Sequence, residues 1–175
     1  MTTDPGATKM GIACFIDGVL RARITVTGRD ERLPHLGAKV LQSWDEGLST
    51  GGSYDLVTER MHKRAGQSLF DKDLERVEAC RLAIPGLLGR KGYTKTYNPT
   101  QWKGNTAKKI HHARVRAVLS PEELLLWDGA SHDAKDAIAI GLFHLGRILR
   151  GGAAPGEKKS FSMASVPPPP PLRKT

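Results

Sequence analysis

The chain has 175 residues, enough for one domain with a hydrophobic core and an appendage. Its formal net charge is +9, and a basic body with clustered Lys and Arg points to a polyanionic partner, most often nucleic acid. The two cysteines, Cys14 and Cys80, offer no disulfide framework or zinc spacing, and no apolar run or signal-like N-terminus suggests membrane contact. The expectation is a soluble cytoplasmic protein whose cysteines are buried free thiols in a reducing compartment.

Asp4-Pro5-Gly6 has turn chemistry, proline fixing φ and glycine permitting a positive one. Met10 to Ile16 is a strand-like apolar run, and Asp17-Gly18 is a strong hairpin signal. Leu20, Ala22, Ile24 and Val26 then alternate with Arg21, Arg23, Thr25 and Thr27, giving a strand with one apolar face. The pattern predicts a β-hairpin over 10–28. A helix fits 36–48, with Val40, Trp44 and Leu48 on one stripe beside Leu41, and Gly51-Gly52 stops it. Residues 54–60 read as a short buried strand ending in charge. A helix resumes near Lys72, carrying Leu74, Val77, Cys80 and Ile84 inward, and Pro85-Gly86 must kink or end it.

Residues 93–97 form another β-prone strand, followed by a loop, 98–104, that holds Trp102 and Lys103. Asn105 or Thr106 can cap a helix to Leu119, which carries Ile110, Val115 and Val118 beside Lys108, Lys109, His111, His112, Arg114 and Arg116. Ser120-Pro121-Glu122-Glu123 is a capping box with proline at the first helical position, and Gly129 ends that helix. Ser131 then N-caps a long apolar helix running through Phe143 to Leu145, Ile148 and Leu149. Strands and helices interleaved on one mixed sheet, an antiparallel hairpin plus parallel strands, indicate an α/β fold.

From Gly151 the composition turns to Gly, Ala, Pro, Lys and Ser, with prolines throughout 167–171. Such a stretch buries too little apolar surface to offset its ordering entropy, and the proline run favours polyproline II. The chain therefore divides into a body, 1–150, and a disordered basic tail, 151–175. The tail holds Glu157 against Lys158, Lys159, Arg173 and Lys174, a net of +3 that leaves +6 on the body. It is either plainly solvated or docks a partner that reads proline-rich segments.

Four acids stand at informative places. Asp133 and Asp136 are three apart, so both project from one face of a helix's first turn. They either complement the helix macrodipole or ligate a divalent cation together with acids from elsewhere. Asp4 is either a turn residue or one of those partners. Glu59 is either a strand-end charge paired with Arg60 or another.

The Asp4-Pro5-Gly6 turn before the strand, hairpin and helix is followed by Leu56-Val57-Thr58-Glu59 and the loop Gln101-Trp102-Lys103-Gly104. Asp133-Ala134-Lys135-Asp136 opens the last helix. In order and spacing these motifs resemble the RuvC-type Holliday junction resolvases over most of residues 4–149. The resemblance implies an RNase H-like fold and a homodimeric crossover junction endodeoxyribonuclease that nicks two like-polarity strands of a four-way DNA junction symmetrically. A symmetric dimer presents two equivalent sites to such a substrate. It also implies two-metal phosphodiester hydrolysis, with Asp4, Glu59, Asp133 and Asp136 holding two Mg²⁺ ions, Asp4 bridging them and Mn²⁺ as a substitute.

By the same resemblance Lys103 stands where the family has a lysine near the scissile phosphate, and Lys108 or Lys109 where it has a second. Each either stabilises charge on the phosphoryl oxygens or makes an ordinary phosphate contact. His132 either orients water or substrate or has no special role, and His144 reads as a hydrogen-bonded structural histidine. The DNA-facing candidates are Lys108, Lys109, Arg114 and Arg116 on the basic helix, with Lys63, Arg64, Arg90 and Lys91 in loops; recognition of backbone and shape makes affinity salt-dependent. Only Met1-Thr2-Thr3 precedes Asp4, a strand too short to cross a sheet at roughly 3.3 Å per residue, so either the true start lies upstream of Met1 or the first strand is stunted. Two alternatives stand: another RNase H-like nuclease that cuts a flap, fork or RNA–DNA hybrid, and a non-catalytic branched-DNA-binding module. Four clustered acids argue against the second, because like charges that close repel unless a cation sits among them.

Overall fold

A computed structural model describes residues 1–29, 32–47, 55–60, 71–88 and 94–155. Its strands are β1 (Thr2–Pro5), β2 (Lys9–Ile16), β3 (Val19–Thr27), β4 (Leu56–Glu59) and β5 (Thr94–Tyr97). Its helices are α1 (Arg32–Gly47), α2 (Asp71–Leu87), α3 (Pro99–Trp102), α4 (Lys108–Ala117), α5 (Pro121–Asp128) and α6 (His132–His144). The strands make one five-stranded sheet in the order β3-β2-β1-β4-β5. β1–β2 and β2–β3 pair antiparallel, while β1–β4 and β4–β5 pair parallel, which is the mixed α/β sheet the pattern predicts.

The hairpin turn at Asp17 and Gly18 has φ of 52° and 77°, the paired left-handed conformation of a type I′ turn. β1 is only four residues long, yet it is the middle strand. β2 pairs with it over its whole length and β4 flanks its other edge. The N-terminal ammonium donates to the Asp55 carbonyl at 2.7 Å, and the Val57 N–H donates to the Met1 carbonyl at 2.9 Å. Met1, Thr2 and Thr3 are all buried, so this short strand is held from both sides.

Alternation along the strands builds two cores. Met10, Ile12, Cys14 and Leu56 face α1 and α2, joining Leu33, Leu41, Cys80 and Ile84. Ala13, Leu20 and Val57 face the opposite way, onto Ile138 and Leu142 of α6, Val115 of α4 and Trp127 of α5. α6 is apolar on nearly every side and correspondingly internal, with Ala134 and residues 136–142 buried. Ser131 caps it as expected, its Oγ accepting from the Ala134 N–H at 3.2 Å. The approach of α6 to β2 requires a glycine: a Cβ at Gly11 would lie 2.0 Å from the Asp133 carbonyl oxygen. α5 is tied to the hairpin by Glu123, which is 1% exposed. Its carboxylate accepts from Arg147 at 2.5 and 2.7 Å and from the Leu20 and Ser120 N–H groups at 2.9 Å. Burial pushes the Glu123 pKa up, but the Arg147, Leu20 and Ser120 hydrogen bonds outweigh it and hold the pKa down at about 2.

Several boundaries differ from the sequence pattern. α1 begins at Arg32 rather than 36, with Pro34 in its first turn, where amides have no intrahelical partner to lose. α2 continues through Pro85 to Leu87, and the Leu88 N–H still reaches the Ile84 carbonyl at 3.1 Å. The loop 98–104 contains α3, whose entry is fixed by the Asn98 N–H donating to Gln101 Oε1 at 2.7 Å. α4 starts at Lys108 with Ala107 at its N-cap, so neither Asn105 nor Thr106 caps it. α6 ends at His144 rather than running to Leu149, because Gly146 (φ 70°) closes a Schellman turn: its N–H bonds the Phe143 carbonyl, and the Arg147 N–H that of Leu142.

The composition change at Gly151 precedes the end of the packed body. Gly151 and Gly152 are buried, the Gly151 N–H donates to the Trp102 carbonyl at 2.8 Å, and the Leu149 N–H donates to that of Ala153 at 2.7 Å. The rest of the expected tail, 156–175, lies outside the described residues, as do Lys63, Arg64, Arg90 and Lys91. Cys14 and Cys80 are buried free thiols. Among the described residues no helix is long and apolar enough to cross a membrane.

Candidate active site

The parallel register of β1 and β4 pairs Thr2 with Val57 and Thr3 with Thr58, so the next step sets Asp4 beside Glu59 at the carboxyl ends of two adjacent strands. Both acids share the parity of Thr2 and Val57, which face α6: Thr2 Oγ1 donates to the Ala137 carbonyl at 2.8 Å, and Val57 packs in the α6 core. Asp4 and Glu59 therefore project toward the first turns of α6, where Asp133 and Asp136 lie. All four carboxylates line one cavity of about 400 Å³, together with Lys103, Lys108 and Trp102. A second cavity, about 300 Å³, opens on the opposite sheet face between α1 and α2 and has no carboxylate in its lining.

The four acids affect one another. Burial raises the Asp4 pKa well above the usual carboxylate range, and the Glu59 charge, a hydrogen bond with Glu59 and the charges of Asp136 and Asp133 push it further. Glu59 is also raised, by burial first; its hydrogen bond from Asp4, the Lys103 charge and the Trp102 indole N–H only partly offset this. Asp4 thus keeps its proton to higher pH and donates it to Glu59. Asp136 shifts the other way. Burial opposes its ionisation, but His112 and Lys108 outweigh burial and hold its pKa below the ordinary value. His112 Nε2 lies 2.6 Å from Asp136 Oδ1, and Lys108 Nζ lies 2.8 Å from Oδ2. Burial in turn works against the Lys108 ammonium, yet its bond to Asp136 leaves its pKa raised.

The remaining expected residues are placed as follows. Lys103 is at the cavity wall with its Nζ 5.9 Å from the Trp102 ring centroid. Lys109 is exposed on α4. Arg114 donates to the Gly151 carbonyl at 3.2 Å, and Arg116 pairs with Asp128 through two contacts of 3.0 Å. His132 is exposed and its ring stacks on His112 at 6.0 Å between centroids. His144 is hydrogen-bonded to Tyr97 and Asp55, at 3.1 and 3.2 Å, in keeping with a structural role. Trp102 is buried and also lines the cavity. Its indole N–H has no partner of hydrogen-bond geometry, although it lies close enough to Glu59 to favour that carboxylate's charged form.

Sequence reasoning missed His112. Lys108 and His112 are four apart, which places them on one face of α4 and is the one available signal. The partner that gives this face its meaning, Asp136, lies 24 residues beyond His112.

The donor set fits hard divalent cations, since four carboxylates give an all-oxygen site suited to Mg²⁺ or Mn²⁺ rather than zinc. The upward push of Glu59, Asp136 and Asp133 on Asp4 is the repulsion that a cation among them relieves. As placed, no three acid, histidine or cysteine side chains among the described residues form one metal-holding group. Asp4 is engaged with Glu59, and Asp136 with Lys108 and His112. The Lys108 ammonium is the counter-charge that Asp136 already holds.

The sheet order, the hairpin, and the acid-bearing helix laid across the middle strands define a RuvC-like fold of the RNase H-like class. No protein-family model matches the chain, and no curated protein matches it. Among solved structures, it is similar to RuvC from Thermus thermophilus, with a TM-score of 0.54 and 19% identity over 82% of this chain and 90% of that one. It is also similar to T. thermophilus RuvC in complex with Holliday junction substrate, with a TM-score of 0.56 and 21% identity over 82% of this chain and 89% of the other. At these identities the likeness shows the fold.

Proposed function

We propose that this protein is a divalent-metal-dependent endonuclease that resolves Holliday junctions or closely related branched DNA, acting as a homodimer associated with DNA inside the cell. One observation carries the reading: Asp4, Glu59, Asp133 and Asp136 line a single cavity at the carboxyl ends of β1 and β4, on a RuvC-like fold. A protein of this fold has been solved with a Holliday junction substrate, which supports the choice of nucleic acid.

In this reading the four carboxylates hold two Mg²⁺ ions, with Mn²⁺ as a substitute. Bound there, the cations supply a water of lowered pKa and neutralise charge on the leaving oxygen. The chain's own residues do the rest. Asp4 donates its hydrogen bond to Glu59, which holds the two carboxylates together as one unit. Trp102 closes the cavity behind Glu59 and excludes water from that side. Lys103 stabilises charge on the phosphoryl oxygens, and Lys108, Lys109, Arg114 and Arg116, with Lys63 and Arg64, contact the DNA backbone. His132 carries no assigned role beyond its stacking on His112. The basic proline-rich stretch after the packed body acts as an appended tail.

The test is a cleavage panel of synthetic four-way junction, flap, duplex and RNA–DNA hybrid, each with Mg²⁺ and with chelator. Symmetric, metal-dependent nicking of the junction is expected, and Asp136→Asn abolishes it while retaining junction binding. Wild-type cutting by Asp136→Asn refutes the metal-site assignment. Preference for flap or hybrid reassigns the chain to another RNase H-like nuclease, and junction binding without cleavage by the wild type makes it a binding module.

A further inference from the structure

Asp136 has a basic partner on each carboxylate oxygen, and the two differ in their freedom to move. His112, 2.6 Å from Oδ1, has a side chain 12% exposed. Its ring is packed edge-on against Trp127 at 5.5 Å and stacked on His132 at 6.0 Å. Lys108, 2.8 Å from Oδ2, has a side chain 43% exposed. It sits on a flexible four-carbon stem whose head reaches water readily.

The position of Lys108 is itself unusual. It is the first residue of α4, a helix with no acid in its first turn and no side-chain cap. A cation at that end opposes the helix macrodipole. Local helix chemistry therefore disfavours a lysine here, and the contact that compensates is the one to Asp136. A residue that breaks a local rule for the sake of one contact marks a functional position.

Resting on the metal-site reading above, we propose that Lys108 is a tethered counter-cation: its ammonium occupies Oδ2 of Asp136 and competes with a divalent cation for that oxygen, while His112 stays on Oδ1 and fixes the carboxylate's orientation. When a cation takes Oδ2, the Lys108 head is released into the cavity mouth, where a DNA phosphate oxygen is the next anion available to it. Metal and DNA binding are then coupled, each favouring the other by the same factor. Lys108 and His112 are positioning residues in this scheme, acting on the site through Asp136.

The experiment titrates the full-length protein with Mn²⁺ in the absence of DNA and follows free Mn²⁺ by its paramagnetic resonance signal. Lys108→Met removes the ammonium but keeps the stem, and Mn²⁺ binding is expected to tighten about fivefold or more, the lower end of ordinary coupling factors. Lys108→Arg, whose fork grips a carboxylate through two hydrogen bonds, is expected to bind Mn²⁺ more weakly than wild type. His112→Ala is expected to weaken binding by loosening Asp136. Damage to the fold loosens a metal site, so tightening in Lys108→Met separates competition from misfolding. If wild type binds Mn²⁺ and Lys108→Met binds it equally or less well, the inference fails and the metal-site reading stands. If wild type binds none, or the double variant Asp133→Asn with Asp136→Asn binds as well as wild type, the metal-site reading fails and the inference with it.

Discussion

Gly11 lies opposite Asp4 in the β1–β2 register, and its missing side chain is what lets the first turn of α6 come down onto the sheet. A Cβ placed there would stand 2.0 Å from the Asp133 carbonyl oxygen, 2.2 Å from its carbon and 2.7 Å from the Ala134 nitrogen. These are backbone atoms, so no side chain can rotate away. To reach even 3.0 Å the helix start must retreat by about 1 Å, against Thr2, whose hydroxyl holds the Ala137 carbonyl, and Thr25, which bonds Ser131. Overpacking of this kind costs about 1–3 kcal/mol. At about 2–4 °C per kcal/mol for a chain of this size, Gly11→Ala should melt roughly 2–12 °C below wild type. The retreat carries Asp133 away from Asp4, and a misplacement of about 1 Å at a reacting centre costs on the order of 10²-fold in rate. The assay pairs thermal denaturation followed by circular dichroism with junction nicking in Mg²⁺. Gly86→Ala is the comparison: its Cβ would meet nothing within 4 Å, and in α2 alanine gains up to about 1 kcal/mol over glycine. A Gly11→Ala protein that melts at or above wild type refutes the close approach. One that melts lower yet nicks at full rate refutes the link between Gly11 and the placement of Asp133.

Glu123 should make stability depend on acid pH. Its folded pKa of about 2 lies below the ordinary 4.5, so its contribution is complete above pH 4.5 and is lost as pH falls toward 2. That gap is worth about 3 kcal/mol, which should appear as a fall in urea midpoint over this window; a midpoint unchanged from pH 5 to pH 2.5 would contradict it. Arg147→Met leaves the same carboxylate buried without its main partner and should cost about 3–5 kcal/mol at pH 7 by urea unfolding. Junction affinity should fall steeply with salt, and Lys109→Ala should lower the logarithmic slope by about 1. Arg116→Ala should change the slope less, because its guanidinium already holds Asp128; equal effects of the two variants would count against that distinction.

Much of this architecture is legible along the chain because it rests on local chemistry. Asp17-Gly18 sets a type I′ turn by φ alone, Ser120 with Glu123 builds a capping box, and Ser131 starts α6 through its own hydroxyl. The errors are of two kinds, a local stop signal passed over and contacts that distant residues decide. α6 looks apolar to Leu149, yet Gly146 ends it, and Ile148 stays buried in the turn that follows. Gly151 and Gly152 read as the start of a solvated tail by composition, but both are buried, and Gly151 is hydrogen-bonded to Trp102 and Arg114, 49 and 37 residues earlier, through contacts that composition does not encode. His112 looked like one more base on a basic helix for the same reason.

The candidate site divides along the same line. The four acids are legible because each is tied to an element's end: Asp4 and Glu59 to adjacent strand termini in register, Asp133 and Asp136 to one helical turn. What surrounds them is not. Whether Asp133 reaches Asp4 depends on Gly11, whether Asp136 stays ionised depends on Lys108 and His112, and which of the first pair keeps a proton depends on how deeply Asp4 and Glu59 are buried. These supports differ in kind: a vacancy where a Cβ would be, a fixed imidazole, a movable ammonium and a shared proton. Of these, the shared hydrogen bond and the movable ammonium are the ones a divalent cation can displace. Substitutions at Gly11 and His112 should therefore damage the site with or without metal, whereas those at Lys108 should change mainly its response to metal.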